Sequence, residues 1–397
     1  MSAYHENALR PGARLAEYTI ESVLGRGGFS VTYLARDTAL GAYVAIKEYM
    51  PQDIAARDSG TASVIPQTSE EAIRHYHWGL KNFVKEARAL ARFKHPNIVR
   101  VLRFIEANGT AYTVMEYERG QTLAQYLKGR GERLDEANLY RIVMPILNGL
   151  HAVHEAGMLH LDIKPENIYL REDGTPMLID FGSARQALTE SRPTGRVTLT
   201  HGYAPIEQYP GKGTLGPWSD VYALGATMYR CITGKRPEDA LARYRAMLDY
   251  KTDPLLPAVK AGAGRYPALV LQCIDRAMQI HAKDRPRSAR ALQDHLLGRV
   301  RIPGRSETRN VAPAVRARAG RRARQRFRRA MSRLIRTTAV AALLAALAWF
   351  GWPHLPKDWR RLATGLVEQA AAVIASVRPT QTGPAAGGDV SKGGSAR

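Results

Sequence analysis

Four side chains in one short stretch could move a phosphoryl group. Asp162, Lys164, Asn167 and Asp180 fall within nineteen positions of residues 159–182, LHLDIKPENIYLREDGTPMLIDFG. Phosphoryl transfer asks little covalent work of a protein. It needs an aligned nucleophile and positive charge spread around the moving group. Asp162 can accept a hydroxyl proton, and Lys164 can neutralise a phosphate in flight. Asn167 and Asp180 offer hard oxygens of the kind that suit Mg²⁺. A D-x-K-x-x-N string by itself is commonly a solvated polar loop. The hydrophobic-D-F-G element thirteen residues after Asn167 favours chemistry over that reading.

HLDIKPEN followed by DFG resembles the catalytic loop and metal-binding motif of the eukaryotic-type protein Ser/Thr kinases, in their bacterial-like form. The resemblance covers about residues 18–300. It implies an α+β, bilobal fold. A small antiparallel β-sheet lobe with one long helix would occupy 18–117, and a larger, mainly helical lobe 118–300, after an N-terminal extension, 1–17. It also implies ATP and Mg²⁺, with Mn²⁺ as an alternative, and protein Ser/Thr hydroxyls as substrates. Asp162 and Lys164 are then catalytic, and Asn167 and Asp180 hold metal. One letter departs from the family's H-R-D: Leu161 stands in place of Arg. In many members that Arg clamps a phosphorylated activation loop, and Leu161 offers a phosphate no charge.

The upstream elements must hold a nucleotide over these groups. YTIESVLG, SVTYLARD and AYVAIKEY alternate apolar and polar residues as three antiparallel strands do. Between the first two lies the turn Gly25-Arg26-Gly27-Gly28-Phe29-Ser30, whose small residues let backbone N–H groups face an anion. Such a turn alone is usually a plain hairpin, and its place one strand before VAIK gives it weight. By resemblance Gly25, Gly27, Gly28 and Ser30 cover the ATP phosphates, and Lys47 of VAIK binds the α- and β-phosphates. Phe83, Ala87, Leu90 and Ala91 share one helical face in FVKEARALARFKHPNIV. Glu86 of that helix is the implied ion-pair partner of Lys47. Residues 51–75 read as an insertion before that helix or a lengthening of it, structural in role. Residues 110–119 read as a strand and a connector. There the resemblance makes Met115 the gatekeeper and gives the main chain of Glu116 and Glu118 to adenine. Ala45 and Tyr169 would be the ceiling and floor of its pocket.

After DFG, residues 183–200 have the Ser/Thr/Arg/Gly composition of a mobile loop, with Ser183, Thr189, Ser191, Thr194, Thr198 and Thr200 as hydroxyls. THGYAPIEQY resembles the end of a kinase activation segment. Thr200 would then lie near the substrate hydroxyl, and Glu207 would pair with Arg285 of HAKDRPRSA. Asp220 and Gly225 stand where the family braces its catalytic loop. These features separate a protein kinase from a small-molecule phosphotransferase.

The net charge of +22 is uneven: residues 301–336 carry thirteen Arg against one acid, Glu307. Two cysteines, Cys231 and Cys273, give neither a disulfide framework nor zinc-ligand spacing, and the first twelve residues hold no apolar signal-peptide run. The Arg-rich segment 301–336 reads as a linker. It could lie on anionic membrane lipids or meet nucleic acid through phosphates. Residues 337–352 contain sixteen residues without a charge, stretched to nineteen by Pro353, His354 and Leu355. A span needs about 20 mostly apolar residues, with a lower limit near 17. Trp349, Trp352 and Trp359 gather at the distal end, and Arg333 and Arg336 abut the proximal one. The expectation is therefore a transmembrane helix at 337–355 in the inner, cytoplasmic membrane. The kinase-like region would be cytoplasmic, the short, partly disordered tail 356–397 outside, and nucleic acid disfavoured. An interfacial helix or a soluble association is the competing reading. A homodimer is left open. For function, the alternative to an active kinase is a pseudokinase, a nucleotide-binding scaffold at the membrane.

Overall fold

The computed structural model describes residues 7–129, 131–181, 199–250 and 252–300. The expected linker, membrane helix and tail (301–397) and most of the activation loop (182–198) lie outside them. Among the described residues no helix is long and apolar enough to cross a membrane.

The small lobe begins with β1 (Arg14–Leu15), then β2 (Tyr18–Arg26), β3 (Ser30–Asp37) and β4 (Tyr43–Tyr49). With β7 (Val101–Ala107) and β8 (Thr110–Glu116) they form one antiparallel sheet in the order β1-β2-β3-β4-β8-β7. Strand periodicity sorts the side chains. Val31, Tyr33 and Ala35 on β3, and Val44, Ile46 and Glu48 on β4, are buried on one face. Ala45 and Lys47 turn to the other face and are half-buried. The three strands expected at 18–49 are therefore present, and Lys47 stands on the face opposite Ile46 and Glu48, with its Nζ 5.9 Å from the Phe83 ring of the long helix.

The insertion is both things the sequence allowed. A hairpin, β5 (Ala55–Arg57) with β6 (Val64–Pro66), precedes α1 (Glu70–Leu90), and α1 itself starts well before Glu86. Ser69 caps α1 by accepting the Ala72 N–H at 3.2 Å, and Glu70 and Glu71 favour its positive end. The hairpin is anchored by Arg57, whose Nη2 lies 2.5 Å from Oε2 of the fully buried Glu48.

A connector leads to the large lobe: β9 (Gly120–Thr122), α2 (Leu123–Gly129) and α3 (Glu136–Glu155). Next come β10 (Ile168–Arg171) and β11 (Pro176–Leu178), which pair with β9 in a three-stranded sheet. Gly120 is required here, because a Cβ would fall 2.1 Å from the Leu170 carbonyl oxygen. Helices α4 (Pro217–Thr233), α5 (Ala240–Asp249), α6 (Ala258–Ala261), α7 (Ala268–Ala277) and α8 (Ala289–Leu296) complete the lobe. Helix α4 is buried from Ser219 to Met228 and onward, so it forms the axis of the lobe core. Gly225, expected at the loop brace, instead lets α7 approach: a Cβ would sit 2.7 Å from the Ala277 Cβ.

A third, smaller core joins the lobes. Leu90, Ile98, Val101, Val153 and Phe181 pack together, with Met115 and Met158 against them. Asn97 reinforces the junction by donating to the Pro176 carbonyl at 2.7 Å, while its own carbonyl accepts the Leu178 N–H at 2.9 Å.

Candidate active site

The catalytic-loop residues converge around Asp162. Lys164 Nζ is 3.0 Å from Asp162 Oδ2, and the Asn167 side-chain amide donates to the same oxygen at 2.7 Å and to the Asp162 carbonyl at 2.9 Å. Thr200, thirty-eight residues on, donates its hydroxyl to Asp162 Oδ1 at 2.7 Å and accepts from Lys164 Nζ at 3.3 Å. A hydroxyl, a carboxylate and an ammonium are thus already in mutual contact. The carboxylate is nearly buried, with 6% of its side chain exposed, which strengthens each interaction.

The turn carrying Asp162 is held by backbone bonds. Leu161 adopts φ +62°, and its N–H donates to Asp220 Oδ1 at 2.8 Å. The His160 N–H and the His154 ring meet Asp220 Oδ2 at 2.9 and 2.8 Å. Asp220 therefore braces the loop as expected. Burial pushes its carboxyl pKa up, but the His154 hydrogen bond and charge, with His160 beyond, outweigh that and hold it below the ordinary value. His160 stacks on Phe181 with ring centroids 4.4 Å apart. Its Nδ1 accepts the Asp162 N–H at 3.3 Å, leaving Nε2–H to donate to the Ile179 carbonyl at 3.1 Å. Burial, foremost, lowers the pKa of this imidazole, in keeping with a neutral ring.

Asp180 and Lys47 face each other across the cleft, Nζ to Oδ1 at 2.9 Å. Enclosure raises the Asp180 pKa, and the Lys47 ammonium lowers it by more, so the carboxylate stays charged. Asp180 sits at φ +58°, a strained conformation for a non-glycine residue, and its side chain is 43% exposed toward the cleft. Lys47, Glu86, Met115 and Asp180 line one small cavity with Phe83 and Leu90. Glu86, the expected ion-pair partner of Lys47, lines the same cavity, where Lys47 is ion-paired with Asp180. Met115, the expected gatekeeper, is among the residues that line it.

The glycine-rich turn carries no internal reason for two of its glycines. A Cβ on Gly25 or Gly28 would meet nothing within 4 Å, and neither has a positive φ. Small residues there suit a ligand approaching from outside. Gly27 donates to the Ser30 carbonyl at 2.9 Å, closing the turn. At the connector, Tyr169 donates its hydroxyl to the Glu118 carbonyl at 3.1 Å, and Ala45 lies opposite Met115 in the β4–β8 register. The Glu118 side chain pairs with Arg171 at 3.0 Å and ties the connector to β10. Glu116 donates its N–H to the Arg100 carbonyl at 3.0 Å.

The far anchor is Glu207 with Arg285, a bidentate buried pair at 2.7 and 3.1 Å. Two other partners had no sequence signal. Gln208 donates to the Leu161 carbonyl at 2.8 Å, and Ser219 donates to Glu207 Oε1 at 2.8 Å.

Residues 18–295 match the protein kinase domain family. The chain belongs to that family. Its kinase domain is of the serine/threonine type carried by bacterial relatives. The serine/threonine-protein kinase PknK of Mycobacterium tuberculosis is 32% identical over 288 residues, covering 72% of this chain and 24% of that protein. Serine/threonine-protein kinase C of Synechocystis sp. is 33% identical over 290 residues, 71% of this chain and 49% of that one. Among solved structures, the apo form of PpkA-294 is 36% identical with a TM-score of 0.66, covering 73% of this chain and 99% of that chain. The chain therefore spans a quarter to a half of the length of these curated relatives.

Proposed function

We propose that this protein transfers the γ-phosphoryl group of ATP to Ser or Thr hydroxyls of proteins, itself among them. The observation that carries this reading is the contact of Thr200 with both Asp162 and Lys164. A hydroxyl held by that pair is oriented by the carboxylate and screened by the ammonium. Asp162 takes the proton as the hydroxyl oxygen attacks the γ-phosphorus. The bond from that phosphorus to the β–γ bridging oxygen breaks, and ADP departs. Lys164 offsets charge on the group in transit, and Lys47, kept near Glu86 on α1, holds the α- and β-phosphates. Positioning and electrostatics of this kind are most of what the reaction needs.

The donor set fits a hard divalent cation. Asp180 presents a charged, half-exposed carboxylate, and the Asn167 amide, with its nitrogen committed to Asp162, keeps its oxygen for a ligand. One or two protein oxygens completed by phosphates and water suit Mg²⁺. When bound, Mg²⁺, or Mn²⁺ in its place, neutralises charge on the β- and γ-phosphates.

The setting we infer is a membrane. The uncharged run at 337–355, preceded by thirteen Arg in 301–336, supports a single span in the cytoplasmic membrane with the kinase domain inside and anionic lipid against the linker. Carbonate-washed membranes from producing cells should retain the full chain, and release into the soluble fraction would refute the span.

Phosphosite mapping of the full chain with ATP and Mg²⁺, beside Asp162→Asn, tests the activity. Phosphoserine or phosphothreonine should appear in the wild type and fall by about 10²–10⁴ in rate in the variant. Equal phosphorylation in both, or none in either, would leave a nucleotide-binding scaffold.

A further inference from the structure

The insertion that separates Lys47 from Glu86 reaches the glycine-rich turn. Beyond the last β3–β4 pair, Ser30 with Tyr49, the chains stay bonded: the Met50 N–H donates to the Phe29 carbonyl at 2.8 Å. Pro51 has no N–H to give. Gln52 then makes two bonds to the turn, its backbone N–H to the Gly28 carbonyl at 3.0 Å and its side-chain amide to the Gly27 carbonyl at 3.3 Å. A trans peptide points its C=O and N–H in opposite directions. Drawing the Gly27 and Gly28 carbonyls toward Gln52 therefore turns the Gly28 and Phe29 N–H groups to the other side. An anion approaching there meets two aimed donors, the arrangement that binds phosphate at backbone nests.

Gln52 has a firm base. The Ile54 and Ala55 N–H groups both donate to the Pro51 carbonyl, at 3.1 and 2.9 Å, closing a tight turn. Gln67, just beyond β6, clasps that turn by donating to the Ile54 carbonyl at 2.8 Å and the Asp53 carbonyl at 3.0 Å. Arg57 fixes the hairpin to Glu48, the residue beside Lys47, and also donates to the Ala62 carbonyl at 2.6 Å. The position of the turn is thus referred to the strand that presents Lys47.

We propose that Gln52 is a positioning residue for the phosphate-binding turn, and that the 51–66 insertion is the anchor through which it acts. The proposal rests on the kinase reading above, since it is ATP phosphates that the turn would receive. It assigns the insertion a part in nucleotide binding, where the sequence suggested only a structural extension.

Three full-length variants test it, with dissociation constants measured for ATP and for adenosine, which has no phosphates. Gln52→Met keeps length and loses the donor. ATP binding should weaken about two- to tenfold, the range one net hydrogen bond supports, with adenosine unchanged. Gln52→Glu places an acceptor against the Gly27 carbonyl and should weaken ATP further. Gln52→Lys restores a donor and should bring ATP back to within about twofold of wild type, inside the range of one weak hydrogen bond. Unchanged ATP binding in Gln52→Met overturns the proposal. So does a parallel loss of ATP, adenosine and thermal midpoint, which marks general damage. A wild type that binds neither ligand overturns the kinase reading instead. Amide hydrogen exchange at residues 25–29 then still decides the tether: faster in Gln52→Met supports it, unchanged refutes it.

Discussion

The Leu161 N–H donates to the buried Asp220 carboxylate at 2.8 Å, while the Leu161 carbonyl accepts from Gln208. The turn before Asp162 is therefore fixed from both sides by main-chain groups, whatever the side chain. Leu161 supplies no charge for a phosphate on residues 183–198. Treating the autophosphorylated protein with phosphatase should change its transfer rate by less than about tenfold, or 1.4 kcal/mol in barrier. A hundredfold slower enzyme after treatment would show that another cation reads the loop.

Asp220 is the hub of that brace and should dominate its stability. It is fully buried and bonded to the His160 and Leu161 amides and the His154 ring. Asp220→Ala strands two amide donors and should cost about 3–5 kcal/mol of unfolding free energy. Its pKa is lowered on folding, so its contribution is present above the ordinary value of 3.8 and lost as pH falls through the folded value. Urea titrations of wild type and variant at pH 7 and at about pH 2, below the ordinary carboxylate range, measure both effects. A variant as stable as wild type at pH 7 would refute the role.

His160 sets a second acid response. Its imidazole is buried between the Asp162 N–H and the Ile179 carbonyl, and protonating Nδ1 would set one N–H against another. The folded pKa lies below the ordinary 6.5, so the unfolded chain binds the proton first. Stability should fall as pH drops below about 6.5, by at most about 1.4 kcal/mol per pH unit for this one group. His95 and His295 are also lowered by burial and add to the slope. His160→Gln should therefore flatten it in part. An identical slope in the variant, measured by denaturation between pH 7 and pH 5, would rule His160 out.

The residues legible from sequence were those whose chemistry demands one identity at one spacing. Lys47, Asp162, Asn167 and Asp180 do converge on one cleft, and Glu207 does meet Arg285, because no other residue types serve there. The small-lobe strands were legible because half-buried strands alternate, as Tyr33 and Ile46 do against Lys47. The insertion was not. Its strands, Ala55–Arg57 and Val64–Pro66, are three residues each, too short for a period to appear. Gln52 and Gln208 act through backbone carbonyls brought near by tertiary folding, and a glutamine in a turn announces no partner. The Glu48–Arg57 pair was hidden for a related reason. A charged residue on an apolar strand reads as a surface side chain until the hairpin that covers it is seen.

Glu207 and Arg285 allow a sharper test of how the large lobe holds the segment that ends in Gln208. The guanidinium is fully engaged: two bonds to Glu207, one each to the Gln279, Ile280 and Trp218 carbonyls, and the face of Tyr222 at 4.7 Å. Its side chain is 0% exposed and that of Glu207 3%. Removing one partner leaves a buried charge unpaired, so Arg285→Met alone should cost about 3–5 kcal/mol, and Glu207→Leu a similar amount. Removing both leaves no stranded charge, and the double variant should cost clearly less than the two single losses added together. Because Gln208 bonds the Leu161 carbonyl, the single variants should also lower the transfer rate at temperatures where they remain folded. Urea unfolding of the four proteins closes the cycle. Additive losses would mean that the two side chains contribute independently, and that the segment is held by its other contacts, Ser219 to Glu207 foremost.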